Sequence, residues 1–181
     1  MEMELRKGRP EEEAGRLEKE IRVYDFLDGL GIEYDRIDHA PATVDAPELK
    51  SAIEETLGAQ FCNNLFLANR QRTRFYLLML PADKRFRSSD ISKQAGSSRL
   101  HFAEPEYMEA LIDCAPGSAS VMGLINDKDK QVRLLVDEAV LKAEWVGCHP
   151  CINTSSLRIR ATDLFGRVLE AAEHGYIVVR A

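Results

Sequence analysis

The chain has 181 residues, of which 45% are hydrophobic and 30% are charged, a composition typical of a globular protein with one core of ordinary size. Its formal net charge of −6 at pH 7 excludes binding of nucleic acid through an overall basic surface and leaves only a local basic patch for that purpose. No apolar run approaches the roughly 20 residues of a membrane-spanning helix, and residues 1–10 lack the apolar segment of a secretion signal, so we expect a cytoplasmic protein without a membrane partner.

The N-terminal part predicts a charged, frayed segment at residues 1–13, followed by a single domain at residues 14–181. The domain begins with a helix, because apolar side chains recur at spacings of three and four residues at Ala14, Leu17, Ile21, Tyr24 and Leu27. Gly29 and Gly31 end this helix, and residues 32–38 predict a strand.

The middle of the chain predicts a helix and a hairpin. Pro47 suits the first turn of a helix that runs to Leu57 and is closed by Gly58. Residues 64–68 and 73–80 are rich in residues typical of strands, and the polar residues 69–72 between them have the composition of a hairpin loop.

The C-terminal part predicts a further set of elements from periodicity and turn residues. These are helices at 88–95 and 105–112, strands at 121–125, 132–136 and 155–159, a helix at 162–174 and a strand at 176–179. Residues 126–130 form the turn of a second hairpin in this interpretation. The element order favours an α/β fold of the α+β type, with a mixed β-sheet and helices packed around it.

Two polar segments each have both a structural and a functional interpretation. Asn63-Asn64 stands at the start of an apolar run although Asn is depleted in strands, so the two amides predict either a turn or a site. Residues 115–120 are rich in glycine and serine, which suits close approach of backbone N–H groups to a ligand and equally suits a tight turn. No phosphate-binding glycine signature is present.

Cys148-His149-Pro150-Cys151 has the spacing of a zinc or redox motif. Zinc requires further ligands, and the remaining cysteines and histidines are scattered along the chain. We therefore expect reduced thiols, no metal and no other cofactor. His149 remains a candidate polar group.

Basic residues cluster around the predicted first hairpin, at Arg70, Arg72, Arg74, Lys84, Arg85 and Arg87. Solvated surface charge is one interpretation. The other is contact with RNA phosphates, which these residues favour because they have few acidic neighbours in the sequence. No feature indicates a DNA partner.

An ordered set of short motifs resembles one family. The motifs are Gly31-Ile-Glu-Tyr34, His39-x-Pro41, Asn64-Leu-Phe-Leu67, Leu80-Pro-Ala-Asp-Lys-Arg85, Ser98-Arg-Leu100, Pro116-Gly-Ser118, Gly123-Leu-Ile-Asn-Asp127, and His149-Pro150 with Asn153-Thr154. In order and spacing they resemble the YbaK-like, prolyl-tRNA synthetase-associated editing domains, and among these the free-standing bacterial proteins that deacylate alanyl-tRNA(Pro).

The resemblance implies a YbaK-like fold and a trans-acting hydrolase that binds the acceptor end of mischarged tRNA, with prolyl-tRNA synthetase as a further partner. A synthetase pocket built for proline cannot strongly reject the smaller alanine, so a second pocket removes the error by hydrolysis. The implied catalytic residues are Asn63, Asn64, Gly117, Ser118 and Ser120. The implied substrate-binding residues are Val121, Gly123, Asn126, Asp127, His149 and Pro150, although a hairpin turn explains Asn126 and Asp127 equally well.

The chain departs from the family pattern at two of these positions. The family's active-site lysine falls on Asn63, which offers a neutral amide instead of an ammonium group. The proline of the family's Gly-x-x-x-Pro loop falls on Val121. These departures favour an alternative function, in which the domain binds an amino acid or aminoacyl-tRNA without hydrolysing it.

Overall fold

The computed structural model describes residues 3–42 and 45–181, and within them the strands form two sheets. The strands are β1 (Arg6–Lys7), β2 (Tyr34–Asp38), β3 (Cys62–Ala68), β4 (Phe75–Pro81), β5 (His101–Phe102), β6 (Val132–Asp137), β7 (Trp145–Cys148), β8 (Ser155–Arg160) and β9 (Tyr176–Val179). The helices are α1 (Glu18–Gly29), α2 (Pro47–Leu57), α3 (Ser88–Gln94), α4 (Pro105–Ile112), α5 (Glu138–Leu141) and α6 (Leu169–Ala171). A 3-10 helix spans Val121–Asn126, and a π-helical segment, Asp163–Val168, runs directly into α6.

The two sheets differ in strand direction. The first has the order β1-β2-β8-β7 and is antiparallel throughout. The second has the order β5-β3-β4-β6-β9, in which β4 is antiparallel to β3 and parallel to β6. The predicted α/β class is therefore confirmed, whereas the single mixed sheet expected from the sequence is replaced by two sheets. None of the helices in the described residues is long and apolar enough to cross a membrane.

The predicted first hairpin is present as β3 and β4, and its turn is held by one side chain. The Asn69 Oδ1 atom accepts hydrogen bonds from the backbone N–H groups of Thr73 at 2.8 Å and Arg74 at 3.0 Å. Such local bonds make Asn suited to turns rather than to strand interiors. The register pairs Cys62 with Pro81, so the beginning of β3 lies beside the end of β4.

The N-terminal region differs from the sequence expectation. The predicted frayed segment contains β1, which pairs with β2, and Arg9 forms ion pairs with Asp25 and Asp28 of α1. Helix α1 begins at Glu18 rather than at Ala14, and Leu17, its N-cap residue, has an extended backbone and is 55% exposed. Within α1, Tyr24 and Leu27 are fully buried, as the periodicity predicts.

Residues 121–125 form a helix where the sequence predicted a strand. The Ser120 hydroxyl accepts a hydrogen bond from the Met122 N–H at 3.1 Å and caps the 3-10 helix. The turn into β6 is held by Asp127, whose carboxylate accepts from the N–H groups of Gln131 and Val132. The second predicted hairpin is therefore a helix, a turn and one strand.

Gly123 explains why this helix packs so closely against α4. A Cβ atom at position 123 would lie 2.7 Å from the Ile112 carbonyl oxygen and 2.9 Å from the Ile112 Cβ atom. Contacts this short force the backbone to shift. The small residue is required here by packing inside the core.

Replacing Gly123 by alanine is expected to lower the free energy of unfolding by about 1–3 kcal/mol, because a methyl group overpacks a rigid contact. Gly166 provides the matched control, since a Cβ at that helical position meets no atom within 4 Å. Gly166→Ala is expected to leave stability unchanged or to raise it slightly. Urea unfolding of the two variants measures the difference, and equal midpoints would contradict it.

Candidate functional site

A cleft of about 330 Å³ opens beside the first half of β3. Its walls come from β3, from α2, from the glycine-serine turn before the 3-10 helix and from the residue that follows β7. The lining residues are Ala42, Lys50, Ile53, Phe61, Cys62, Asn63, Asn64, Leu65, Gly117, Ala119 and His149. Elements far apart in the sequence thus meet at one concave surface.

The cleft follows an open edge of β3. Strand β5 pairs only with Leu67 and Ala68, and the Ala103 N–H donates to the Phe66 carbonyl at 3.0 Å. Because backbone groups alternate in direction along an antiparallel strand, the N–H and C=O groups of Asn64 point to this same side. The strand therefore presents backbone donors and acceptors to the cleft.

The two amides Asn63 and Asn64 both line the cleft, and each is half-buried. The Asn64 Nδ2 atom donates to the Cys62 carbonyl at 3.4 Å, whereas its buried Oδ1 atom accepts no hydrogen bond from the described residues. A buried acceptor without a donor is costly. A bound group with N–H or O–H donors would satisfy it once the amide has rotated toward the cleft.

His149 enters the cleft with a defined tautomer. Its Nδ1 atom lies 2.9 Å from the Ser155 carbonyl oxygen, and because a carbonyl can only accept, Nδ1 carries the proton and Nε2 has a free lone pair. Burial is the main cause that lowers the pKa of His149 from 6.5 to about 4. At neutral pH the ring is therefore an uncharged hydrogen-bond acceptor.

A second histidine supports the first through a hydroxyl group. The Ser156 Oγ atom lies 3.4 Å from the His149 Nδ1 atom and 2.7 Å from the Nε2 atom of His39. The Nδ1 atom of His39 lies 2.7 Å from the Ala40 carbonyl and must donate to it. Hydrogen bonds therefore connect His149 through Ser156 to His39. These bonds fix the orientation of the His149 ring.

The glycine-serine turn contributes backbone rather than hydroxyl groups. Gly117 lines the cleft with φ of +87°, which glycine adopts without strain. Ser118 bonds back to Ala115, and Ser120 donates to the His149 carbonyl at 2.5 Å. Of the predicted catalytic residues, Asn63, Asn64 and Gly117 therefore line the cleft, and Ser118 and Ser120 hold the turn in place.

Among the predicted substrate-binding residues, the structure brings only His149 into the lining of this cleft. Val121 and Gly123 are buried in the core, and Pro150 is buried behind His149. Asn126 donates to the Ile112 carbonyl at 3.2 Å and accepts from Arg22. Asp127 is 2% exposed, and its carboxylate already accepts backbone hydrogen bonds in the turn into β6.

Cys114, Cys148 and Cys151 are buried thiols, and Cys62 is a partly exposed thiol at the cleft. Burial raises the pKa of Cys148 to about 12, and a hydrogen bond with Cys114 is the first cause that raises the pKa of Cys151. Reactive thiols have lowered pKa values, so both side chains are protonated and unreactive at neutral pH. No group of three or more metal-ligating side chains occurs within residues 3–42 and 45–181.

The predicted tRNA-binding residues fall into two groups at opposite ends of the hairpin. Arg70, Arg72 and Arg74 surround the turn, about 20 Å along the strand from Asn63, and Arg72 is paired with Glu104. Arg85 and Arg87 are exposed and follow the end of β4, which lies beside the start of β3. Lys84 is bound to the buried carboxylate of Asp137 at 2.9 Å, which fixes the segment.

Several residues that line the cleft were not predicted from the sequence. Lys50 and Ile53 share one face of α2, but nothing in the sequence indicated that this face meets β3. Phe61 packs on His149 with ring centroids 5.2 Å apart. Strand β7 was not predicted, so the sequence did not indicate the element that positions His149.

Comparisons with known proteins identify the family. The family model for the aminoacyl-tRNA editing domain matches residues 40–166, more than half of the chain. The prolyl-tRNA editing protein ProX of Acetoanaerobium sticklandii is 27% identical over 139 residues, covering 76% of this chain and 83% of that protein. The prolyl-tRNA synthetase associated domain-containing protein 1 of Mus musculus is 27% identical over 157 residues, covering 84% and 90%.

The fold is also found among solved structures. A protein described as a candidate trans-editing enzyme for prolyl tRNA synthetase superposes with a TM-score of 0.66 at 16% identity, covering 91% of this chain and 98% of that one. The YbaK-like fold that the motifs implied is therefore confirmed. The chain belongs to the aminoacyl-tRNA editing domain family.

His149 is expected to make the stability of the protein depend on pH. Between pH 6.5 and about pH 4 the unfolded chain binds a proton at His149 that the folded chain does not bind, so the free energy of unfolding falls as the pH falls, by at most about 3 kcal/mol. Urea unfolding at a series of pH values should show a shallower slope for His149→Gln than for the natural protein. Parallel pH profiles would contradict the assignment.

Proposed function

We propose that this member of the aminoacyl-tRNA editing family hydrolyses the ester bond of mischarged tRNA, with alanyl-tRNA(Pro) as its substrate. The observation that carries the proposal is the pairing, in one small cleft, of an uncharged His149 acceptor with the unsatisfied Oδ1 atom of Asn64. The names of the relatives in Acetoanaerobium and mouse, which refer to prolyl-tRNA editing and to prolyl-tRNA synthetase, support this choice of tRNA.

The acceptors of the cleft suit the amino group of an aminoacyl ester. In the proposal, the α-ammonium group of the alanyl moiety donates hydrogen bonds to the His149 Nε2 atom and, once the Asn64 amide has rotated toward the cleft, to the Asn64 Oδ1 atom. A protonated histidine would repel this ammonium group, and burial of His149 prevents its protonation at neutral pH. The two acceptors would fix the orientation of the acyl group.

The reaction proceeds by addition of a water molecule. The water oxygen attacks the ester carbonyl carbon, the bond between that carbon and the ribose oxygen breaks, and a proton of the water passes to the ribose oxygen. Free alanine and the terminal ribose hydroxyl are released. Backbone N–H groups at the β3 edge and at Gly117 are suited to bind the oxyanion that develops on the carbonyl oxygen.

The apolar walls of the cleft support the proposed preference for alanine. Ile53, Phe61 and Ala119 provide apolar walls beside His149. A second sieve must exclude the larger, correct amino acid, because a site cannot strongly reject a smaller one by binding alone. We assign the exclusion of proline to these walls.

The rest of the tRNA would lie along the basic residues of the hairpin. Arg85 and Arg87 are exposed near the cleft and suit the phosphates next to the terminal adenosine. Arg70 and Arg74 lie farther away and suit the acceptor stem. Because these contacts are few, hydrolysis should weaken only modestly as the salt concentration rises.

A second function, binding without hydrolysis, is favoured by one observation. Asn63 lines the cleft at the position where the resemblance implies a lysine. A sensor of amino acids or aminoacyl-tRNA would keep the cleft and lack the reaction. In that case Asn63→Lys would create strong deacylation in a protein that is otherwise inert.

Alanyl-tRNA(Pro) is expected to be deacylated faster than seryl-tRNA(Pro), and prolyl-tRNA(Pro) is expected to be spared. Ala119→Leu should lower kcat/KM for alanyl-tRNA(Pro) by about tenfold or more, because added methylene groups fill the cleft. Ala143→Leu is the matched control, since Ala143 is exposed outside the cleft. Release of labelled amino acid measures both, and no hydrolysis above buffer for any of these tRNAs would overturn the proposed enzyme.

A further inference from the structure

Lys50 on α2 is the one charged side chain among the described residues that line the cleft. The other polar groups there are the amides of Asn63 and Asn64 and the uncharged ring of His149. Hydrolysis of an ester places negative charge on the carbonyl oxygen in the transition state. A cleft with several acceptors and a single cation therefore raises the question of what that cation binds.

The packing of α2 fixes the backbone of Lys50 at the cleft, whereas its side chain is exposed. Ile53 and Leu57 are buried on the same helix, and Ile53 lines the cleft with Lys50 at a spacing of three residues. Glu54 lies one helical turn after Lys50, and its carboxylate accepts a hydrogen bond from the Phe61 N–H at 3.1 Å. This bond ties α2 to the beginning of β3 and directs the Lys50 face of the helix toward Asn63.

The ammonium group of Lys50 is not engaged elsewhere. No ion pair or hydrogen bond joins it to another residue in the parts of the chain that the structure describes. Burial and, to a smaller extent, the carboxylates of Asp137 and Glu54 raise the pKa of the Cys62 thiol, and the charge of Lys50 acts in the opposite direction on that thiol as the smallest of these influences. The ammonium group therefore interacts electrostatically with Cys62, the first residue of β3. Asn63 and Asn64 follow directly on the same strand.

We propose that Lys50 is a catalytic residue whose ammonium group contacts the ester carbonyl oxygen and stabilises the oxyanion formed when water adds. This inference rests on the proposed hydrolysis. Lys50 would supply from α2 the positive charge that the strand lacks at Asn63. Its charge-assisted hydrogen bond complements the backbone N–H groups of the cleft, which are weaker neutral donors.

Alanyl-adenosine, an ester without any phosphate group, is the substrate that tests this role. Lys50→Met is expected to lower kcat for this ester on the order of 10- to 100-fold, because one charged donor to the oxyanion is lost. Lys142→Met is the matched control, since Lys142 is exposed and lies outside the cleft lining, and it should retain the natural rate. An unchanged kcat in Lys50→Met would overturn the proposal and would assign Lys50 at most to the phosphates of tRNA.

A double variant tests whether the position of the charge on α2 matters. Lys50→Met combined with Asn63→Lys places one ammonium group in the same cleft from the strand side, and we expect it to recover most of the lost kcat. Lys50→Arg should keep part of the rate because the charge remains. If neither the double variant nor Lys50→Arg is faster than Lys50→Met, and all three unfold at the same temperature as the natural protein, Lys50 does not act through its charge.

Failure of the proposed hydrolysis can be told apart from failure of the Lys50 role. If the natural protein hydrolyses no ester, the proposed function fails, and the probe becomes the non-hydrolysable amide of alanine with 3′-amino-3′-deoxyadenosine. Lys50→Met should then bind this amide at least about fivefold more weakly than Lys142→Met, because a charge-assisted bond to the carbonyl is lost. Equal affinities would overturn the role of Lys50 independently of any activity.

Discussion

The whole site depends on the contact at which the two sheets meet. Phe61 and Gly147 form an isolated parallel bridge, and the Gly147 N–H donates to the Gln60 carbonyl at 3.3 Å. A Cβ atom at position 147 would lie 3.1 Å from the Phe61 ring, so glycine permits the approach. This contact brings β3 of one sheet beside β7 of the other, and the residue after β7, His149, consequently faces the amides at the start of β3.

The hydrogen-bond acceptors of the cleft and its cation come from different kinds of secondary structure. The His149 Nε2 acceptor is held rigidly, because the other ring nitrogen is bonded to the Ser155 carbonyl and Ser156 is bonded to His39, whereas the Asn64 amide makes one hydrogen bond of 3.4 Å through its nitrogen. The cation comes from a long side chain on a helix and can adapt to the substrate. Such a division suits an ester, in which the amino group must be oriented accurately and the charge on the carbonyl oxygen appears only during the reaction.

Sequence patterns predicted elements better than they predicted contacts. The hairpin β3–β4 and helix α2 were found because their signals are local: alternating apolar residues, a loop at Asn69 and a left-handed Gly58. Residues 121–125 have the composition of a strand, but the Ser120 cap and the close packing at Gly123 make them helical. The role of Lys50 could not be predicted, because it depends on which face of α2 meets β3, and that is decided by long-range packing.

The short free edge of β3 has a consequence for the behaviour of the protein in the cell. Open strand edges invite pairing with strands of other molecules, which leads to aggregation. Here the open stretch covers only about three residues, or about 10 Å, because β5 closes one end and the Phe61 bridge closes the other. A strand from another chain gains few backbone hydrogen bonds over so short a stretch, whereas the end of a nucleotide fits it, so the same gap that admits a small ligand limits unwanted association of the sheet.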